Sequence, residues 1–479
     1  MTDKFVDNFV VCPVRAAARS YPDRPALITP DGIVTFEAYD RQVSAAAAFF
    51  KEQELPELAV MAENTPLLPP LLMGAFRAGT TVHLLSHHHP TNIIETYLKD
   101  FHYPRFINIT GRADFNRFNN LFAETVLKNV YSPSEIIPEI NLEQPATVMM
   151  TSGSSAEPKA VLHLYGNHYY NALGSNRNLP FGSGDHWLWS LPAYHVGGLS
   201  ILFRAALGGG AAVIDNGELP LTEKILKHRI THLSLVPTQL YRLLQEKENL
   251  PEVKKQLRAV LLGGGPTTES LLNQALAVEL PLYKTYGLTE TASQVCTTAP
   301  GDMPAKAATS GRPLEYRRVK ISDSGEILVS GPCLFAGYRE KDNLVKPFDN
   351  DGWFATGDCG FIDRDGYLIV ISRKDNLFIS GGENIQPEEI ERLLCRADNI
   401  AAALVVPVLS EEFGFRPAAF IKTADNSEPD RAVLEKYLQT HLPRYKIPDY
   451  FFPWPEKAAF EDLKPKREEF IRLARSLVT

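Results

Sequence analysis

The 479-residue sequence has little cysteine, and what it has follows no pattern. Cys12, Cys296, Cys333, Cys359 and Cys395 include no CxxC pair, which argues against a zinc site or a disulfide frame and leaves reduced thiols of a cytoplasmic enzyme as the expectation. No run of about eighteen apolar residues occurs, so no bilayer span is expected. The one apolar run near the start, in "MTDKFVDNFVVCPVRAAARS", is interrupted by acidic residues, unlike a signal peptide. A long basic run is also missing. With 49 Lys and Arg against 57 Asp and Glu the net charge is −8, which argues against a nucleic-acid partner or an anionic membrane surface. No repeat and no low-complexity segment occurs. A homo-oligomer is left open.

What is present is the composition of a globular protein, 44% hydrophobic and 22% charged, in a chain too long for one ordinary core. Short apolar runs alternate with helical patterns over the first two-thirds. "PELAVMAEN", "TTVHLLS", "ATVMMTSGS", "HWLWSLP", "AAVID", "THLSLVP", "RAVLLGGG" and "PLYKTYG" read as strands, and "PLLPPLLMGAFRAG" as a helix closed by glycine. Such alternation predicts an α/β fold with largely parallel sheets flanked by helices. From about Arg312 the period becomes two, broken by DSG and RDG turns, which predicts antiparallel hairpins. After that, "QPEEIERLLCRA" and "DRAVLEKYLQTHL" read as helices around the strands "IAAALVVPV" and "RPAAFIKT". The division expected is a large domain over 1–374 and a small α+β domain over 375–479.

The stretch "TSGSSAEPKAV", Thr151 to Val161, follows a predicted strand, and "AVLHLYGNHYYNALGS" continues it with helical character. Glycine allows close approach of a ligand, hydroxyls donate, and lysine adds a point charge, a set that suits phosphate oxygens. A solvated polar loop has the same composition. The nucleotide P-loop pattern G-x-x-x-x-G-K-S/T is absent, because Lys159 follows Pro158 and precedes Ala160.

Four further strings lie in order along the chain: "RAVLLGGGP", "YGLTETAS", "WFATGDCG" and "SRKDNLFISGGENIQPEEIE". Together with the hydroxyl-rich loop they resemble the adenylate-forming enzymes, the superfamily of acyl-CoA synthetases, luciferases and peptide-synthetase adenylation domains. That family's fold adds a small β-barrel-like part to the large domain and makes the small C-terminal domain mobile. The resemblance implies ATP with Mg²⁺, and CoA as co-substrate. Thr151, Ser152, Gly153, Ser154, Ser155 and Lys159 then hold ATP phosphates. Gly263, Gly264 and Gly265 leave room for adenine, Tyr286 and Gly287 pack beside it, and Thr289 contacts the α-phosphate. Glu290 holds magnesium, for which a carboxylate is suited. Asp358 takes the ribose hydroxyls, Arg373 contacts ribose or phosphate, Asp375 is the hinge, and Ser380, Gly381 and Gly382 face the thiol channel. In "FPWPEKAAFEDLKPKREEF", Lys464 and Arg467 keep the family's K-x-x-R spacing, which makes Lys464 the adenylation lysine; Lys466 and Lys457 stay open as alternatives.

The acid is a separate question. "SLPAYHVGGLSILFRAAL" has no carboxylate of the kind that holds an amino acid's amine, and has His195 and Arg204 instead. Arg204 either emerges to solvent at a helix end or forms a fork for a second carboxylate on the substrate. This stretch, with "SLVPTQLYRLL", "YGLTETASQVC" and "EEFGFRPAAF", narrows the resemblance to the branch that activates o-succinylbenzoate, an aromatic keto dicarboxylate of menaquinone biosynthesis, as its CoA thioester. The resemblance places His195 at the gate, Arg204 on the second carboxylate and Leu199 against the ring; Thr291 and Ser293 line the pocket or serve as loop donors. Another acyl-CoA synthetase, an amino-acid adenylation domain and an ATP-binding relic are the alternatives. His87, His88 and His89 read as a pocket-edge loop rather than a metal site, since adjacent residues point apart. Trp187, Trp189, Tyr169 and Tyr170 read as core aromatics.

Overall fold

The computed structural model describes residues 8–89, 91–102, 105–110, 112, 115, 121–128, 139–151, 159–215, 217–265, 267–380, 383–410, 413–455 and 467–478. Two large mixed sheets carry the first three hundred or so residues, one of nine strands and one of seven. In the nine-stranded sheet the strands Pro25–Thr29, Ala211–Val213, His186–Leu188, His232–Leu235, Ala259–Leu262 and Leu282–Leu288 run parallel in that spatial order. In the seven-stranded sheet Arg105–Ile109, Glu57–Ala62, Thr81–Leu85 and Pro145–Thr151 are parallel. These are the apolar runs of the sequence. They are buried on both faces, Ala59, Val60, Leu233 and Val260 all at 1% exposure or less, because helices cover both sides of a parallel sheet. Helix Leu68–Ala78 ends as its sequence predicts, on Gly79 at φ 84°.

One expectation is corrected. The segment from Ala160 to Leu164, read as the start of a helix, is strand Lys159–Leu164, and the helix begins only at Tyr165, running to Asn178. A short apolar run cannot be assigned to strand or helix by periodicity alone. Here it pairs antiparallel with Pro145–Thr151 on one side and with Gly337–Glu340, far along the chain, on the other.

The period-two stretch forms a four-stranded antiparallel sheet, Arg318–Ile321, Glu326–Ser330, Phe354–Ile362 and Leu368–Arg373, in the place of the barrel-like part. Beyond it, Phe378–Ser380, Glu383–Ile385, Ile400–Ser410, Gly414–Thr423 and Tyr450–Pro453 make a separate five-stranded sheet. Helices Pro387–Leu394, Arg431–Gln439 and Arg467–Val478 pack on that sheet with cores of their own around Ile390, Leu434 and Phe470. The α/β architecture is as the alternation predicts. Among the described residues no helix is long and apolar enough to cross a membrane.

Candidate active site

In a parallel sheet the strand ends open on one edge, and ligands sit there. Strands Ala259–Leu262 and Leu282–Leu288 end side by side. The first runs into Gly263, Gly264 and Gly265; Gly264 takes φ +79°, and a Cβ on Gly263 would lie 2.6 Å from Thr285 Cγ2. The second runs through Tyr286 and Gly287 into a 3-10 turn, Thr289–Thr291, and returns antiparallel as Ser293–Thr297. The register slips at Tyr286/Gly287, and the strands approach so closely that a Cβ on Gly287 would be 1.8 Å from the Ser293 carbonyl oxygen. Ala292 and Ser293 both have positive φ, 54° and 133°, which costs about 1–3 kcal/mol per residue. The turn is therefore strained and held by its surroundings.

Three holds are visible. The Glu290 carbonyl accepts from Phe335 N–H at 2.8 Å, and the Glu290 carboxylate accepts from Tyr338 Oη–H at 2.8 Å. The Thr289 carbonyl accepts from His163 Nε2 at 2.7 Å. Burial pushes the His163 pKa down to about 4 against the opposing pull of that carbonyl, so the ring is neutral. Burial beside the Glu290 carboxylate raises the Tyr338 phenol above its ordinary value. Lys159 Nζ lies 4.8 Å over the Tyr338 ring, which brings the phosphate-loop lysine next to Glu290 through a residue that sequence reasoning missed. Thr151 stands opposite Lys159 in the hairpin register.

A magnesium ion fits this corner. Among the described residues no three His, Cys, Asp or Glu side chains gather into a metal cluster, and Glu290 has no ion-pair partner. One carboxylate plus substrate phosphates and water is how proteins usually hold Mg²⁺.

Asp358 and Arg373 face each other across antiparallel strands, 3.3 Å apart at Oδ1 and Nη1. Asp358 Oδ2 accepts from Tyr286 Oη–H at 2.7 Å, so the aromatic of one signature orients the carboxylate of another. Burial and that carboxylate raise the Tyr286 phenol well above its ordinary value. Asp375 lies in the turn Lys374–Asn376 that links the four-stranded sheet to the C-terminal sheet, and Ser380 ends the first strand of the latter.

Arg204 is the most telling side chain. It sits on helix Val196–Gly208, is completely buried, and lies 5.1 Å from the Trp187 ring centroid. Its Nη2 donates to Gln294 Oε1 at 3.0 Å and approaches Ser293 Oγ at 3.5 Å, whereas Nε and Nη1 have no partner. No carboxylate pairs with it among the described residues. Burial, then the neighbouring Arg317 guanidinium, push its pKa down to about 9, which leaves it charged at neutral pH. The reading in which Arg204 emerges to solvent is thereby excluded. Arg317 differs: its guanidinium donates to the carbonyls of Gln294, Asn171 and Glu315. Gln294 links the two arginines, accepting from Arg204 on its side chain and from Arg317 on its main chain.

His195 caps the same helix and is exposed, nine residues and about 13 Å of helical rise from Arg204. Its ring lies 4.7 Å from Tyr194, which in turn meets His87 at 5.7 Å, so the histidine loop lies beside the start of this helix. Leu199 is fully buried in the main core. Thr291 is buried, and its hydroxyl is engaged by Leu288 N–H, Leu288 O and Ser293 O, the loop-donor alternative. Trp187 and Trp189 are core aromatics as expected, and Trp187 is also the floor under Arg204. Gly209 ends the helix at φ 71°.

Ser152, Gly153, Ser154, Ser155, Gly381, Gly382, Lys464, Lys466 and Lys457 lie outside the described residues, as does the side chain of Asp375. Arg467, the other half of the K-x-x-R spacing, is bound to Glu391 at 2.8 Å and to Glu388 at 3.6 Å. Of the residues missed, Gln294 stood inside the quoted "YGLTETASQVC" and followed the signature directly. Tyr338 and His163 carried no local signal, since their partners are distant in sequence.

Comparison with known proteins gives the family. A family model described as AMP-binding enzyme matches residues 14–339. A 2-succinylbenzoate–CoA ligase of Listeria monocytogenes is 36% identical over 326 residues, 68% of this chain and 69% of that protein. One of Bacillus licheniformis is 38% identical over 339 residues, 68% of this chain and 70% of that protein. Among solved structures, o-succinylbenzoate CoA synthetase from Bacillus subtilis in complex with the acyl-adenylate intermediate OSB-AMP matches with a TM-score of 0.83 at 30% identity, over 93% of this chain and 94% of that one. The same synthetase in complex with ATP and magnesium ion matches with a TM-score of 0.84 at 28% identity, over 97% of this chain and 100% of that one. With a family match over more than half its length, and relatives of this identity and coverage, the chain belongs to the AMP-binding enzyme family.

Proposed function

We propose that the protein is an AMP-forming o-succinylbenzoate–CoA ligase of menaquinone biosynthesis. In the first half-reaction one substrate carboxylate attacks the α-phosphorus of ATP and pyrophosphate leaves. In the second, the thiol of CoA attacks the acyl carbonyl and AMP leaves. The observation that carries the reading is Arg204, a buried guanidinium with no counter-ion among the described residues and two donor atoms without a partner there, beside the Thr289–Glu290 turn. An unpaired buried charge is costly. It is understandable where a second carboxylate on the substrate supplies the missing partner, and a guanidinium fork suits that geometry.

The remaining roles are proposed on the family pattern. Lys159 and the loop Ser152, Gly153, Ser154 and Ser155 take the departing pyrophosphate. Gly263, Gly264 and Gly265 with Tyr286 hold adenine, Asp358 holds the ribose and Arg373 steadies it. Glu290 would hold Mg²⁺, which supplies charge neutralisation on the phosphates. Thr289 holds the α-phosphate, and Lys464 adds positive charge during adenylation. His195 guards the acid entrance at the rim. Ser293 adds a hydroxyl near Arg204, while Thr291 and Leu199 shape the wall. The C-terminal unit, pivoting at Asp375, brings Ser380, Gly381 and Gly382 to the thiol channel for the second half. A cytoplasmic location accords with these soluble substrates.

Pyrophosphate release across a panel of carboxylic acids tests the reading. o-Succinylbenzoate is expected to give the highest kcat/KM by at least about tenfold, one buried charge-assisted hydrogen bond's worth. Turnover of benzoates and fatty acids without the dicarboxylate would refute it.

A further inference from the structure

Beneath the Thr289–Glu290 turn runs a buried chain of hydrogen bonds that the chemistry above does not use. His168 Nε2 lies 2.8 Å from Thr147 Oγ1, which lies 3.0 Å from His163 Nδ1, and His163 Nε2 lies 2.7 Å from the Thr289 carbonyl oxygen. The three side chains come from helix Tyr165–Asn178 and from the antiparallel strands Pro145–Thr151 and Lys159–Leu164, and each residue is 1% exposed or less. A carbonyl only accepts, so His163 carries its hydrogen on Nε2. In a neutral ring Nδ1 is then an acceptor, the Thr147 hydroxyl donates to it, and the hydroxyl oxygen accepts from His168 Nε2–H. Each hydrogen on the path has one direction. The ring of His168 is packed against Phe203 at 5.3 Å between centroids, so the chain is anchored in the core at its far end.

We propose that His163 is a positioning residue of the adenylation half-reaction. Thr147 and His168 fix its tautomer, and its Nε2–H holds the Thr289 carbonyl so that the Thr289 hydroxyl and the Glu290 carboxylate are set before Mg·ATP arrives. The inference rests on the reading of this turn as the nucleotide and magnesium site. The turn needs such a hold because its next residues, Ala292 and Ser293, occupy positive φ and would relax if released. Preorganised groups cost no rearrangement at the moment of reaction. His163 itself contacts no substrate in this arrangement; it acts through Thr289.

The decisive comparison is His163→Leu, which fills the space without a donor, against His163→Gln, whose amide N–H can donate to the same carbonyl. Mg·ATP affinity, read by calorimetry without any acid, is expected to weaken about 10-fold in the leucine variant and less than about 3-fold in the glutamine variant. Pyrophosphate release with o-succinylbenzoate should fall in kcat by about 10- to 100-fold for leucine. The KM for the dicarboxylate, and thioester formation from supplied adenylate, should stay within about 3-fold. Equal losses in both variants, or a uniform loss in both half-reactions, would overturn the inference. Should His163→Leu fail to fold, Thr147→Val, which keeps the shape and deletes the hydroxyl that orients the ring, is expected to weaken Mg·ATP about 3-fold; unchanged affinity there would also overturn it. If the wild type releases no pyrophosphate with o-succinylbenzoate, the substrate reading fails, and calorimetry still decides the role of His163.

Discussion

Arg204 and Arg317 show how two buried guanidinium groups in one region acquire different meanings. Arg317 spends its donors on main-chain carbonyls and holds the strand Ser293–Thr297 to the helix Tyr165–Asn178. Arg204 donates, among the described residues, only to the neutral oxygen of Gln294 and the distant hydroxyl of Ser293, and in the proposed function its charge is kept for a ligand. If Arg204 holds the second carboxylate as proposed, the neutrality of Gln294 is part of the specificity. Gln294→Glu would place a carboxylate about where the amide oxygen now lies and pair with Arg204 in advance. The KM for o-succinylbenzoate is expected to rise about 10- to 100-fold, with the KM for ATP nearly unchanged. Steady-state kinetics on both substrates checks this, and a parallel rise in both constants would place Gln294 in the fold alone.

At the scale of elements, the strand, turn and strand from Leu282 to Thr297 is the central device. It joins Tyr286 and Gly287, the Thr289–Glu290 corner and Ser293 beside Arg204 in one continuous segment, which in the proposed function serves adenine, magnesium and the acid in turn. Its geometry depends on Gly287, because no side chain fits between that position and the Ser293 carbonyl. Gly287→Ala is expected to push the two strands apart, lowering pyrophosphate release by at least about 100-fold, the scale of a misplacement of about 1 Å. Circular dichroism should show the secondary structure largely retained. Near-normal activity would mean the turn tolerates more slack than the strain at Ala292 and Ser293 implies. These signatures were legible in the sequence because each that carries the family resemblance is a short string of adjacent residues. The helical reading of Ala160 to Leu164 failed because an apolar pentapeptide fits either element, and the choice was made by Gly337–Glu340, invisible to local pattern. Tyr338 and His163 escaped for the same reason: each works across a sheet, not along a motif.

For the whole molecule, the two mixed sheets supply a rigid edge and the five-stranded sheet a separate body. An ion pair that joins that body to the rest, Arg396 with Glu269, is exposed on both sides and is worth about 1 kcal/mol or less, a weak link compatible with the pivoting proposed for the C-terminal unit. Stability as a function of pH reports on the interior. Burial holds His163 and His232 at about 4, below the ordinary histidine value of 6.5. The unfolded chain therefore binds these protons more readily than the folded one, so the stability the two rings contribute is complete above about pH 6.5 and is lost as pH falls towards 4, at roughly 1.4 kcal/mol per unit for each ring. Glu57 and Asp215, held down to about 2, add a similar loss only below the ordinary carboxylate range. The apparent Tm is expected to fall steadily from pH 6.5 to 5, and His163→Gln should reduce that slope; a flat profile would mean the rings titrate normally.

Whether Arg204 recognises the carboxylate that is not activated is decided by kcat/KM for o-succinylbenzoate and for the two analogues that each lack one carboxylate, in the wild type and in Arg204→Leu. The wild type is expected to favour the dicarboxylate over whichever monoacid it activates by roughly 30- to 1000-fold, about 2–4 kcal/mol, and this preference should collapse in the variant while the monoacid rate changes little. A preference that survives in Arg204→Leu, or an equal loss on dicarboxylate and monoacid, would contradict it.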